Sequence, residues 1–210
     1  MESSEVDQMA LISVLAEGYV VTLAGGGFRA SPSTVLMEDS GRRVLADPGA
    51  DGRSLSSALF KRGLSPSEID LVFITHAHLD HLLNLRLFPD AEVCDGSFFY
   101  RGDEEIPYGR FLPDTEIEVL STPGHTPEHS SLLVPSEGET WLVAGDLFWW
   151  RDGAVPRTDI SGLLALEDEL ATDPEALRMS RIEALRRADV VVPGHGRPFR
   201  FEDRPLMVTF

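Results

Sequence analysis

The chain has a single cysteine, Cys94. No disulfide can form within it, and no disulfide partner is expected. No apolar run approaches the ~18 residues that a membrane-spanning helix requires, so no membrane partner is expected. The opening residues, Met1-Glu-Ser-Ser-Glu5, are acidic where a signal peptide would be basic, which predicts a cytoplasmic protein. Positive charge is scarce: 18 Lys and Arg stand against 35 Asp and Glu, a net charge of −17. Such a surface repels phosphate backbones and offers no basic footprint for nucleic acid. Solubility is its simplest reading. Repeats, linkers and low-complexity segments are also missing. The 210 residues, 42% of them apolar, predict one domain, 1–210, with a substantial core.

What is present is histidine in a pattern. Residues 71–75, Leu-Val-Phe-Ile-Thr, read as a buried strand. The strand runs into His76-x-His78-x-Asp80-His81. Three imidazoles and a carboxylate so close together match metal-ligand spacing rather than core spacing. In an extended segment, side chains two apart point the same way, so His76 and His78 can grip one ion. Asp80 and His81 follow as the chain turns into a helix near Leu79; they point elsewhere and can reach a second ion. Three further stretches have the look of partners. Thr122-Pro-Gly-His125 sits on a turn, and two apolar strands end in Gly-Asp146 and Gly-His195. Five of the six histidines fall in these motifs, each where a strand gives way to a loop.

In this order, HxHxDH and then His125, Asp146 and His195, the chain resembles the metallo-β-lactamase superfamily. The likeness runs from about residue 35 to 199 and fills all seven ligand positions. The element pattern alone gives an α/β fold; the resemblance implies a four-layer αβ/βα sandwich. It implies two divalent metal ions, zinc first, with manganese or iron as alternatives. His76, His78 and His125 would bind one ion, and Asp80, His81 and His195 the other, with Asp146 bridging them. The implied reaction is hydrolysis by a metal-bridged hydroxide, with Asp80 and Asp146 as its catalytic carboxylates. Asp47, in Asp47-Pro-Gly, resembles the family's acidic residue beside the metals, which would orient a ligand imidazole; a plain turn aspartate is the alternative.

A narrower resemblance, over 70–93 and 141–199, is to a group of metallo-β-lactamase domain-containing proteins. Its animal members are linked to RNA 3′-end processing as ribonucleases. The chain departs from that group before residue 34 and at 126–129, regions that border the pocket. The substrate is therefore left as a small-molecule ester or thioester, another phosphodiester, or single-stranded RNA. A mononuclear iron oxygenase of the persulfide dioxygenase kind is the alternative enzyme. A non-catalytic binding protein is the third class, and the complete ligand set argues against it.

Elsewhere, 6–17 and 19–24 predict two strands joined as an opening hairpin through Gly18. Gly25-Gly-Gly-Phe28-Arg29 reads as a loop. In the superfamily such a loop borders the active site, which makes Phe28 and Arg29 candidate substrate contacts; an ordinary hairpin tip is the alternative. Residues 34–38 and 42–47 predict a second hairpin, 54–62 a helix, and 65–68 a capped helical turn. The helix from Leu79 should bury Leu82, Leu83, Leu85 and Leu87. Residues 91–94 predict a strand with Cys94 as a small buried hydrophobe. Residues 95–113 read as irregular, with Phe98, Phe99, Tyr100 and Tyr108 in the core or on a pocket wall. His129 is read as a hydrogen-bonding loop residue, not a ligand. Trp149 and Trp150 read either as a pocket rim or as a packing surface, including that of a homodimer. Helices are predicted at 159–170 and from Asp173 to about Arg187. The basic end of the second (Arg178, Arg181, Arg186, Arg187) should complement its dipole.

Overall fold

A computed structural model describes residues 10–201. The acidic residues 1–5, and residues 6–9 of the first predicted strand, lie outside the described residues. Two sheets dominate. The first has seven strands: β1 (Leu11–Ala16), β4 (Thr34–Asp39), β5 (Arg42–Ala46), β6 (Leu71–Phe73), β7 (Glu92–Cys94), β8 (Phe98–Arg101) and β9 (Glu104–Pro107), in that spatial order. The second has five, also in sequence order: β10 (Glu118–Ser121), β11 (Ser130–Ser136), β12 (Glu139–Trp149), β13 (Val190–His195) and β14 (Phe199–Arg200). A separate ribbon pairs β2 (Tyr19–Thr22) with β3 (Phe28–Ser31).

Alternation along the strands builds the layers. On β4, β5 and β6, Val35, Met37, Val44, Ala46, Leu71 and Phe73 join Leu132, Val134, Val143 and Val192 of the second sheet in one central core. Their sequence neighbours Leu36, Leu45 and Val72 face the other way. There they pack on Leu55 and Leu59 of α1 (Gly52–Lys61). Leu133, Leu142, Ala144 and Val191 likewise turn outward, onto Leu163 of α3 (Ile160–Leu164) and Leu177, Ala184 and Leu185 of α4 (Pro174–Arg187). The result is helix, sheet, sheet, helix: the αβ/βα sandwich that the resemblance implies.

Several local expectations change. The opening hairpin does not form. β1 pairs with β4, and the chain then leaves the sheet at Gly18, which bridges Gly196 instead. A Cβ at Gly18 would lie 2.1 Å from the Gly194 carbonyl oxygen, so only glycine permits this crossing. The glycine-rich segment is the turn of the β2–β3 ribbon, with Phe28 and Arg29 on β3. The helix after Leu79 is short. After α2 (Leu79–Leu82) it tightens to a 3-10 turn over Leu83–Leu87. There the Asn84 N–H donates to the Gly49 carbonyl rather than along the helix. Leu83 is therefore exposed instead of core. Residues 95–113 hold the β8–β9 hairpin, turned by Gly102 in a left-handed conformation. Phe99 is in the central core and Tyr108 packs against it. Helix α3 stops at Leu164. The Asp168 carboxylate caps the Leu170 N–H beyond it, a local bond that competes with helix. Arg181 does not serve the dipole of α4 in solvent. It is buried, and its guanidinium donates to the Leu147 and Leu166 carbonyls.

Candidate metal centre

The candidate ligands converge from the segment after β6, the β10–β11 connection, β12 and the last residue of β13; Asp146 lies inside β12, which runs on to Trp149, rather than at a strand end as expected. Two glycines make this convergence possible. Gly145 has φ +54° inside β12, where the register with β13 shifts, and it turns Asp146 toward the other sheet's histidines. A Cβ on Gly145 would lie 2.8 Å from Thr75 and from His129 Nε2. Gly194 precedes His195, and a Cβ there would lie 2.0 Å from Asp146 Oδ1. At Gly145 the missing side chain leaves room for Thr75 and His129, and at Gly194 it leaves room for the Asp146 carboxylate.

Two groups of donor atoms result, each with its atoms within 4.8 Å of one another: His76, His78, His125 and Asp146, and Asp80, His81 and His195. Asp146 faces both. Its Oδ2 is 3.8 Å from His76 Nε2 and 3.4 Å from His125 Nε2. Its Oδ1 is 3.4 Å from the Nε2 atoms of both His81 and His195. Asp80 Oδ2 lies 3.4 Å from His195 Nε2. His76 Nε2, His81 Nε2 and Asp146 Oδ1 are buried with no hydrogen-bond partner. Buried polar atoms are almost always satisfied, so three orphans aimed into one space fit a cation there. The imidazole and carboxylate set suits a divalent transition metal.

Outer contacts hold the rings. Asp47 sits in a left-handed conformation (φ +47°) that aspartate tolerates. Its Oδ1 accepts from the Thr75 N–H at 2.9 Å, and its Oδ2 accepts from the Thr75 hydroxyl and from His81 Nδ1, both at 2.8 Å. His195 Nδ1 donates to the Ser31 carbonyl at 3.1 Å. His125 Nδ1 is 2.7 Å from Asp168 Oδ2, a contact with both side chains sequestered from solvent. Each of these bonds fixes a tautomer that turns Nε2 inward. Asp168 was not anticipated. It lies 43 residues from its histidine in a segment expected to be helix, and no local spacing marks it.

The electrostatics follow from burial and proximity. Burial depresses the His76 pKa well below the ordinary value, and neighbouring His81 adds to this. Burial also opposes charge on His81, but the carboxylates of Asp146 and Asp47 outweigh it and raise its pKa well above normal. Burial raises the Asp146 pKa, and His195 and His81 overcome that to hold it well below the carboxylate range.

The remaining predicted residues divide. Phe28 and Trp149 line a cavity of about 360 Å³ that opens onto His78, Asp80, Asp146 and His195. Arg29 does not line it; on the opposite face of β3, its guanidinium lies over the Tyr19 ring. Trp150 packs against Phe199 in the helix-covered layer of the second sheet. His129 belongs to neither donor group. It is fully buried, 5.1 Å from the His76 ring, with Nδ1 2.8 Å from the Thr122 hydroxyl.

Two predictions arise here. Asp168→Ala should weaken metal binding by roughly 10–100-fold, the usual effect of losing a carboxylate behind a ligand imidazole. Competition with a chromophoric chelator measures it; an unchanged Kd would remove Asp168 from the centre. The second concerns His129, whose pKa burial pushes down to about 3. The unfolded chain takes up a proton at this histidine near pH 6.5 and the folded one does not. Stability of the metal-free protein should therefore fall as pH drops below about 6.5, by up to about 1.4 kcal/mol per pH unit from this residue. Urea titrations of wild type and His129→Asn across pH 4.5–7 should show a shallower pH slope in the variant. Parallel slopes would contradict a neutral buried His129.

A family model described as "Metallo-beta-lactamase superfamily" matches residues 27–96. A Xenopus laevis protein named Metallo-beta-lactamase domain-containing protein 1 is 36% identical over 200 residues, covering 90% of this chain and 81% of the frog protein. A human protein of the same name is 37% identical over 172 residues, covering 75% of this chain and 59% of its own. The chain thus spans less than two thirds of the human relative's length. Among solved structures, a Thermotoga maritima protein crystallised under a metallo-beta-lactamase name superposes with a TM-score of 0.65 at 21% identity, over 92% of this chain and all of its own. That last likeness is one of fold.

Proposed function

The chain belongs to the metallo-β-lactamase superfamily, and from that premise we propose that it is a dinuclear metal-dependent hydrolase, with zinc favoured over iron and manganese by site affinity. The observation that carries this reading is Asp146, whose two oxygens face separate donor groups. His76, His78 and His125 would hold one ion with Asp146 Oδ2. Asp80, His81 and His195 would hold the second with Asp146 Oδ1. Divalent ions so placed supply Lewis-acid chemistry: they make water nucleophilic near neutral pH and stabilise negative charge on an attacked oxygen.

The chain's own residues do the rest. Asp146, buried and held ionised, would offset the repulsion between the two cations. Asp47, Asp168 and the Ser31 carbonyl orient His81, His125 and His195. The Asp80 side chain is 28% exposed and lines the cavity. It is the carboxylate placed to accept the proton of the attacking water and to return it to the leaving atom. Esters, thioesters and phosphodiesters all fit this scheme.

Elemental analysis of protein purified without chelator tests the reading, together with hydrolysis of a substrate panel. Two zinc or manganese ions per chain with metal-dependent turnover are expected. One iron per chain, with oxygen uptake and no hydrolysis, would overturn it in favour of oxygen chemistry.

A further inference from the structure

The cavity over the metal centre has walls that favour one kind of substrate. Eleven large apolar side chains stand exposed among the described residues, and four of them (Phe28, Leu79, Leu83 and Leu170) line this one opening. Three separate segments supply them: the β2–β3 ribbon, the HxHxDH motif with the helical turn that continues it, and the loop beyond α3. Trp149 and Val20 continue the apolar surface inward. Exposed apolar groups scattered singly need no explanation, but a cluster around a polar floor marks a ligand site.

The charges point the same way. Among the described residues, Arg151 is the only Arg or Lys lining the cavity. Its guanidinium lies 4.6 Å from the centre of the Phe28 ring and is ion-paired with Glu169, which also lines the cavity. That pairing leaves no unpaired Arg or Lys in the lining to add to the grip of the metal ions on phosphate oxygens. The net charge of −17 opposes polyanions at longer range.

Resting on the hydrolase reading, we propose that the substrate is an ester or thioester of an apolar carboxylic acid. Its acyl chain lies against Phe28, Leu83 and Leu170, and its carbonyl carbon faces the His78–Asp80–Asp146–His195 floor. Water adds to that carbon, the acyl–oxygen or acyl–sulfur bond breaks, and the products are the free acid and an alcohol or thiol. No oxidant or second substrate is needed. At about 360 Å³ the cavity falls within the size range of small-molecule sites, roughly 300–1,000 Å³, which suits a medium-length acyl group.

The test compares kcat/KM of the metal-loaded protein for acetyl, butyryl and octanoyl p-nitrophenyl esters, their thioester counterparts, bis(p-nitrophenyl) phosphate and a single-stranded RNA oligonucleotide. Each buried methylene is worth roughly a fourfold gain, so the octanoyl ester should exceed the acetyl ester by at least about tenfold, with both phosphodiesters far behind. Phe28→Asp and, separately, Leu83→Asp should pull the octanoyl-to-acetyl ratio toward one; both positions are solvent-exposed, so folding tolerates them. A flat chain-length profile, or a ratio unmoved in both variants, would overturn the proposal. Turnover of phosphodiester or RNA in preference to ester would overturn it and leave the hydrolase reading standing. If no panel member were hydrolysed with two ions bound, both would fall.

Discussion

Asp146→Asn should reduce hydrolysis far more than loss of any outer residue, and bound metal should drop from two ions per chain to one or fewer. The substitution keeps the size of the side chain and removes its charge. That carboxylate is aimed at both donor sets, with His76 and His125 on one oxygen and His81 and His195 on the other. Losing a carboxylate behind a ligand costs roughly 10–100-fold; removing the shared ligand should cost more than that range. Elemental analysis and kcat/KM on the same preparation measure both effects. A variant that kept two ions and full turnover would refute the bridging role. Asp47→Asn gives an internal comparison, because Asp47 reaches the centre indirectly, through His81 and through the Thr75 hydroxyl beside His76.

The second large effect is on stability. Phe73→Ala should cost about 3–5 kcal/mol, the usual range for emptying a fully packed aromatic site. Phe73 is completely buried between the sheets, and its carbonyl receives the Asp47 N–H at 2.9 Å. It also stands three residues before His76, so a cavity there loosens the strand that carries the HxHxDH motif. Urea unfolding of the chelated protein, by linear extrapolation, should show the loss directly. Added zinc should recover part of it, because an ion that binds only the folded chain stabilises by mass action. A loss under about 1 kcal/mol would mean that the two sheets close over the gap. A full loss without recovery on adding metal would mean that the centre no longer forms.

The fold and the centre were legible in the sequence to different depths. Strand interiors such as Val35-Leu36-Met37 and Leu71-Val72-Phe73 show apolar residues on both faces, as strands buried between a second sheet and a helix must. The HxHxDH motif is dense in ligand atoms, and the Gly-Asp146 and Gly-His195 pairs carry their chemistry in two residues. The β1 partner was not legible. Neighbouring strands in sequence usually pair, and only the passage of Gly18 against Gly194 and Gly196 shows why β2 leaves the sheet. The helix predicted over 159–170 failed for a comparable reason. Asp168 has two competing bonds, one to Leu170 and one to His125, and the second belongs to another part of the chain.

The sequence by itself determined which atoms are available: six imidazoles, three of them in the HxHxDH spacing just beyond a buried strand, and glycines placed before Asp146 and His195. Those are local properties, set by covalent order and backbone period. Only the tertiary structure decided which oxygen of Asp146 faces which histidines, that Asp168 rather than a nearer acid holds His125, and that Arg151 is matched by Glu169 over an apolar cavity. Each of those depends on two sheets closing face to face. The closure is driven by non-directional burial of the central core, and nothing in the spacing along one strand records which side chains it will press together from the other.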